Sequence, residues 1–167
     1  MQLSHNTSPI KKQKFFFFFF CDHVTNAPNL GSLFRTADAF AVEKLVFCGA
    51  NISLGRKMTK TSRATEKYVN YEMHSDISEV IKSLKTNGYH IVALEITTNS
   101  QSIQNHTFNK SQAIALIIGD ENFGISEAVL QQADTVLHID MYGQNSSMNV
   151  VQATTVALYE ITKQLSL

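Results

Sequence analysis

The stretch Lys11 to Asp22 reads KKQKFFFFFFCD, six phenylalanines directly behind a basic cluster. Two readings compete for it. Lys11, Lys12 and Lys14 resemble the charged head of a membrane or secretion signal, while the apolar run could be a strand buried on both faces. A spanning helix needs about 20 apolar residues and a signal core about 7 to 15. The run from Phe15 stops after Cys21, at Asp22 and His23, and is too short for either. A parallel strand covered by helices on both sides does read as a continuous apolar run, and Phe has high β propensity. Phe15 to Cys21 is therefore expected to be such a strand.

Working outward, VTNAPNLGSLFRTADAF reads as a loop entering a helix, with Asn29 as N-cap and Leu30, Leu33, Phe34 and Ala37 on one face. Leu45 to Cys48 is a second strand. Asp76 to Asn87 is the clearest helix, with Ile77, Val80, Ile81 and Leu84 at i, i+3, i+4, i+7, Asp76 or Ser75 as cap and Gly88 as terminator. His90 to Leu94, Ala113 to Ile118 and Thr135 to Ile139 read as strands. A short helix from about Ser126 to Gln132 and a long one from about Asn149 to Gln164 complete the series. Strands alternating with helices imply an α/β fold with a mostly parallel sheet flanked by helices, the Phe run lying inside it.

The length of 167 residues and a 44% hydrophobic composition fit one domain, residues 1–167, with 1–13 as a flexible N-terminal extension. Cys21 and Cys48 lie in apolar runs without CxxC spacing, so buried reduced thiols and a cytoplasmic location are expected. No stretch is long enough to span a membrane, and the six histidines lack ligand spacing, so neither a membrane partner nor a metal is expected. Net charge is zero but unevenly placed: residues 1–70 hold ten Lys and Arg against four Asp and Glu, residues 71–167 four against ten. Arg56, Lys57, Lys60, Arg63 and Lys67 share one short segment whose only acid is Glu66. Such a run is a solvated face or a nucleic-acid contact.

Ligands of parallel α/β sheets sit beyond the carboxyl ends of the strands. The loops there lack GxGxxG, GxxxxGK[ST] and GxSxG, which disfavours a dinucleotide fold of the usual kind, a P-loop NTPase and an α/β hydrolase. Three polar blocks remain: NLGSLFRTADAF, IIGDENFGIS and IDMYGQNSSMNVVQATTVALYE. In order and in combination they resemble the three motifs of the SpoU (TrmH-like) RNA ribose 2′-O-methyltransferases of the SPOUT class. The resemblance covers nearly all of the chain from Phe15 onward. It implies a parallel-sheet domain whose C-terminal segment threads a deep trefoil knot, a homodimer, and S-adenosylmethionine as methyl donor.

Residue by residue, the resemblance implies catalytic roles for Asn29 and Arg35 in the first motif, Glu121 in the second, and Ser147 and Asn149 in the third. The cofactor would rest on Leu94, Gly119, Ile139, Met141, Ser147 and Met148. Three positions depart from the family pattern: Ala41 stands for the usual Gly, Asp140 for the usual Pro after Ile139, and Met148 for the frequent Leu. Loss of Pro frees a backbone angle and adds a charge in a cofactor loop.

Chemically, Asn29, Glu121, Ser147 and Asn149 can fix loops or substrate, and the two asparagines are equally suited to capping helices. A free guanidinium gives up its proton only in strong base, so Arg35 is a poor unassisted base. The family assigns it the 2′-OH proton, whereas phosphate binding and stabilisation of a developing alkoxide suit its chemistry better. RNA contacts are expected from Arg35, Arg56, Lys57, Lys60 and Arg63. The absence of an added RNA-binding domain in this sequence favours tRNA over rRNA as partner. The alternatives are an rRNA 2′-O-methyltransferase, a non-catalytic RNA-binding protein that keeps the knot, and a small-molecule methyltransferase.

Overall fold

The computed structural model describes residues 17–50 and 52–166; Lys11, Lys12, Lys14, Phe15, Phe16 and the expected N-terminal extension lie outside these. Among the described residues seven strands, β1 (Phe17–Asp22), β2 (Lys44–Cys48), β3 (Tyr71–His74), β4 (His90–Leu94), β5 (Gln101–Ser102), β6 (Ile114–Ile118) and β7 (Thr135–His138), form one sheet. Their order is β3-β2-β1-β6-β4-β7-β5, and every neighbouring pair is parallel. The helices are α1 (Ala27–Ala39), α2 (Arg56–Ser62), α3 (Ile77–Thr86), α4 (Glu127–Leu130) and α5 (Val150–Ser166).

The Phe strand is an inner one, with Phe19 level with Leu45 of β2 on one side and Leu116 of β6 on the other. Alternation sends Phe17, Phe19 and Cys21 into a core shared with Leu30, Leu33 and Phe34 of α1 and Ala157, Leu158 and Ile161 of α5. Phe20 points the opposite way, against Ile77, Ile81 and Leu84 of α3 and Val129 of α4. This double burial is why the strand needs apolar residues at consecutive positions. Phe18 alone in the described run stays partly open and stacks on Tyr89 with ring centroids 4.8 Å apart.

The N-cap of α1 is a correction to the sequence reading. Asn26, not Asn29, caps the helix: its side chain accepts the backbone N–H of Asn29 at 3.2 Å, and Pro28 sits in the first turn. Pro tolerates that position because its missing N–H would have no partner there. The expected apolar face of α1 is buried as read. Asp76, one of the two caps considered for α3, accepts the Ser78 N–H at 2.8 Å, and Gly88 follows the helix with φ +80°. Two edge strands escaped the reading, because β3 is exposed at all four positions and β5 is only two residues long.

Helix α2 packs closely on α1 at Gly31, where an added Cβ would lie 2.4 Å from the Met58 carbonyl oxygen. Both cysteines are free and buried, and they face opposite sides of the sheet. Burial pushes the Cys48 thiol up to about 12, with Asp22 and Asp76 adding to the shift. Burial, then Cys48 and Asp22, raises Cys21 as well. Both are thiols near neutral pH, with little nucleophilic character.

Candidate active site

Beyond the carboxyl ends of β4, β6 and β7 three loops enclose a cavity of about 490 Å³. That volume lies in the range of small-molecule sites, about 300–1,000 Å³. All six residues expected to hold a cofactor line it: Leu94 from the first loop, Gly119 from the second, and Ile139, Met141, Ser147 and Met148 from the third. Glu121 and Ser147, two of the five candidate catalytic residues, line it too. The acids Glu95, Asp120 and Glu121 are in its wall, and among the described residues no Lys or Arg is. An apolar floor under a negative rim suits a ligand with an apolar body and positive charge.

The second loop is a locked turn. Asp120 accepts the N–H groups of Asn122 and Phe123 on its side chain, and its carbonyl accepts the Gly124 N–H at 2.9 Å. A Cβ on Gly119 would lie 2.2 Å from the Gly124 carbonyl carbon, so only glycine admits this approach. The turn holds Glu121 beside the cavity and leaves Phe123 90% exposed.

The third loop carries Asp140, the residue that stands where the family pattern has Pro. Its carboxylate accepts hydrogen bonds from Ser102 of β5 and from Gln104, and lies 3.3 Å from His138 Nε2. Hydrogen bonds from Ser102 first, then Gln104 and His138, hold it below the ordinary 3.8 of an aspartic acid. These bonds tie the third loop to the sheet edge, a side-chain restraint in place of a fixed backbone angle.

Motif-one residues lie elsewhere. Asn29 and Arg35 do not line the cavity, and neither does Asn149. Asn149 caps α5 by accepting the Val151 N–H at 3.0 Å, and its side-chain amide donates to Asn29 Oδ1 at 3.4 Å. Motifs one and three therefore meet through their asparagines. Arg35 is exposed and, among the described residues, forms no ion pair. Lying one turn beyond Gly31, it is on the flank of α1 nearest α2. Arg56, Lys57, Lys60 and Arg63 are all exposed there, on α2 and its C-terminal end. The helical spacing of Met58 and Ser62, which are buried, turns the basic side chains to solvent.

Sequence reasoning missed Glu95, Asp120 and His138, all in the cavity wall. For Asp120 a signal was present: an Asp two residues past the end of a strand and four before Gly is a turn-former. Glu95 carries no local signal, because its partner is thirty residues away. Among the described residues no helix is long and apolar enough to cross a membrane, and no group of three or more His, Cys, Asp or Glu side chains is arranged to hold a metal.

A parallel α/β sheet with a small-molecule-sized cavity built from three strand-end loops defines a ligand-binding protein of the α/β class. Residues 17–159 match the family model described as the SpoU rRNA Methylase family, and the chain belongs to that family. It is similar to the tRNA (guanosine(18)-2′-O)-methyltransferase of Thermus thermophilus, 30% identical over 144 residues, covering 86% of this chain and 72% of the relative. The Aquifex aeolicus protein of the same name is 29% identical, covering 87% of this chain and 68% of the relative. A TrmH family tRNA/rRNA methyltransferase of Staphylococcus saprophyticus is 27% identical over 86% of this chain, which spans only 57% of that protein's length. Among solved structures, the Aquifex aeolicus TrmH/SpoU tRNA modifying enzyme superimposes with a TM-score of 0.82 at 28% identity, covering 93% of this chain and 78% of that one.

Proposed function

We propose that the protein is an S-adenosylmethionine-dependent RNA methyltransferase acting on a ribose 2′-hydroxyl, with tRNA as substrate. The observation that carries this reading is the convergence of the six candidate cofactor residues on one cavity with an acidic wall that, among the described residues, holds no Lys or Arg. The donor set fits S-adenosylmethionine: apolar side chains and glycine backbone for the adenosine, carboxylates for the cationic end. Bound there, the molecule supplies a methyl group activated by its sulfonium charge.

The protein's own residues do the rest. Leu94, Ile139 and Met148 exclude water from the apolar part of the cavity, and Gly119 lets backbone approach the ligand. Glu121 and Ser147 orient groups at its mouth. Asn149 and Asn29 join the third motif to α1. Arg35 holds a substrate phosphate and stabilises the charge that develops on the 2′-oxygen as its proton passes to water, a role suited to a planar cation with several donors. The basic face of α2 carries the RNA backbone, in the same domain as the cavity.

Arg35 lies outside the cavity of its own chain, which supports a homodimer in which Arg35 of one protomer acts beside the cofactor held by the other. Val156 and Tyr159, exposed one turn apart on α5, offer an apolar face for that contact. The segment from β7 through α5 is read as threading the deep trefoil knot implied by the motifs, supported by the strand order β6-β4-β7 and the convergence of three loops on one cavity. The two free buried thiols support a reducing compartment, the cytoplasm.

The test is transfer of labelled methyl from S-adenosylmethionine to tRNA and, separately, to rRNA from cells lacking this protein, with Arg35→Ala alongside. Ribose label in tRNA that disappears with Arg35→Ala is expected. Label only in rRNA would overturn the substrate. No label in either, with cofactor bound, would favour the non-catalytic RNA-binding reading.

A further inference from the structure

Glu95 is the first residue after β4 and lies in the cavity wall, yet no motif includes it. Its carboxylate is shared between two loops. Oε1 accepts the N–H of Ile96, its own neighbour, at 2.9 Å, and Oε2 accepts the N–H of Ile125, at the end of the second loop, at 3.0 Å. Gly124 lies directly against it: an added Cβ there would sit 2.5 Å from Glu95 Oε2, and the backbone has φ +67°. Gly124 in turn fills the space that a side chain on Gly119 would need. The three residues form an interlocking set, carboxylate on glycine on glycine, that fixes the spacing between the first and second loops.

We propose that Glu95 is a positioning residue for methyl-donor binding, bracing the second loop so that Gly119 and Glu121 are presented to the ligand in a fixed arrangement. The inference rests on the methyltransferase reading above for the identity of the ligand, but the brace itself does not. A carboxylate can accept both N–H groups at once. The isosteric amide of Glu95→Gln has one acceptor oxygen, so its NH₂ must face one of the two backbone donors, and the brace breaks with volume unchanged.

The experiment compares wild type and Glu95→Gln in three measurements: amide hydrogen exchange of the free protein, S-adenosylmethionine binding by calorimetry, and steady-state kinetics on tRNA. The expected result is faster exchange at Ile125 or Ile96 and a cofactor Kd raised about tenfold or more, in line with loss of a charge-assisted hydrogen bond. KM for the cofactor should rise in proportion while KM for tRNA stays within about twofold. A merely structural role would lower the melting temperature without this split. Unchanged amide exchange, or unchanged cofactor affinity in a folded variant, would overturn the proposal. Should Glu95→Gln fail to fold, Gly124→Ala attacks the same contact from the opposite side, and wild-type cofactor affinity in that variant would overturn the proposal equally. If the wild-type protein shows the Ile125 protection but binds no S-adenosylmethionine, the brace stands and the methyltransferase reading fails.

Discussion

The loop cavity and the exposed face of α2 lie in one small protein and are opposite in nearly every physical respect. The cavity is concave, largely apolar, and carries Glu95, Asp120 and Glu121 with, among the described residues, no Lys or Arg. The α2 face is solvated and carries Arg56, Lys57, Lys60 and Arg63. A zero net charge hides this division, which is visible only when the chain is split near its middle. Under the proposed function, the two halves of the chain serve ligands of opposite sign: a cationic methyl donor at the strand ends of β4, β6 and β7, and a polyanion along α2. Arg35, on the flank of α1 facing α2, belongs by charge and position to the second region.

Both regions hang from β1, so the largest expected effect comes from removing its bulk. Phe19→Ala, at a fully buried site between β2 and β6, should destabilise the protein by about 3–5 kcal/mol. Urea unfolding would read it, and an unchanged midpoint would contradict the role of the strand. Arg35→Ala separates the regions instead. Transfer should fall by about 10²–10³-fold, comparable to loss of a charge-stabilising donor in other enzymes, while calorimetry finds cofactor binding intact. Gly31→Ala pushes α2 off α1 and should cost about 1–3 kcal/mol, with weaker tRNA binding but an undisturbed cavity.

Ala41 has φ +51°, a left-handed backbone that favours the Gly of the family pattern. Ala41→Gly should therefore stabilise the fold by about 1 kcal/mol, seen as a raised melting temperature with neither region altered. The smallest effect concerns the third loop. Asp140 is held below its ordinary 3.8, so its contribution to stability is fully present above that value and lost as the pH falls through the folded value. Melting temperatures of wild type and Asp140→Asn should differ above about pH 4 and converge in stronger acid; parallel curves would contradict the assigned bonds.

How far these regions were legible differs for physical reasons. The Phe run was readable because burial on both faces removes the alternation that marks most strands. β3 was not, since Tyr71, Glu72, Met73 and His74 are all exposed and show no burial pattern to read. The α1 cap was misplaced by one turn because Asn26 and Asn29 both precede apolar residues, and the deciding signal was Pro28 at the first turn. Cavity residues within motifs were legible through their resemblance to a family, whereas Glu95 acts through a backbone group thirty residues away, which no local pattern encodes. Asp140 was recognised as a departure, but its bonds to Ser102 and Gln104 depend on how β5 lies beside β7. The position of Arg35 outside the cavity was likewise a matter of tertiary packing.

The division of labour between the two regions is open to one decisive comparison: binding of S-adenosylmethionine and of tRNA, separately, to wild type and to the fourfold variant Arg56→Ala, Lys57→Ala, Lys60→Ala and Arg63→Ala. The fourfold variant should bind tRNA far more weakly and with much less salt dependence, while its affinity for S-adenosylmethionine is unchanged. Retained tRNA binding, or loss of cofactor binding in the folded variant, would contradict it.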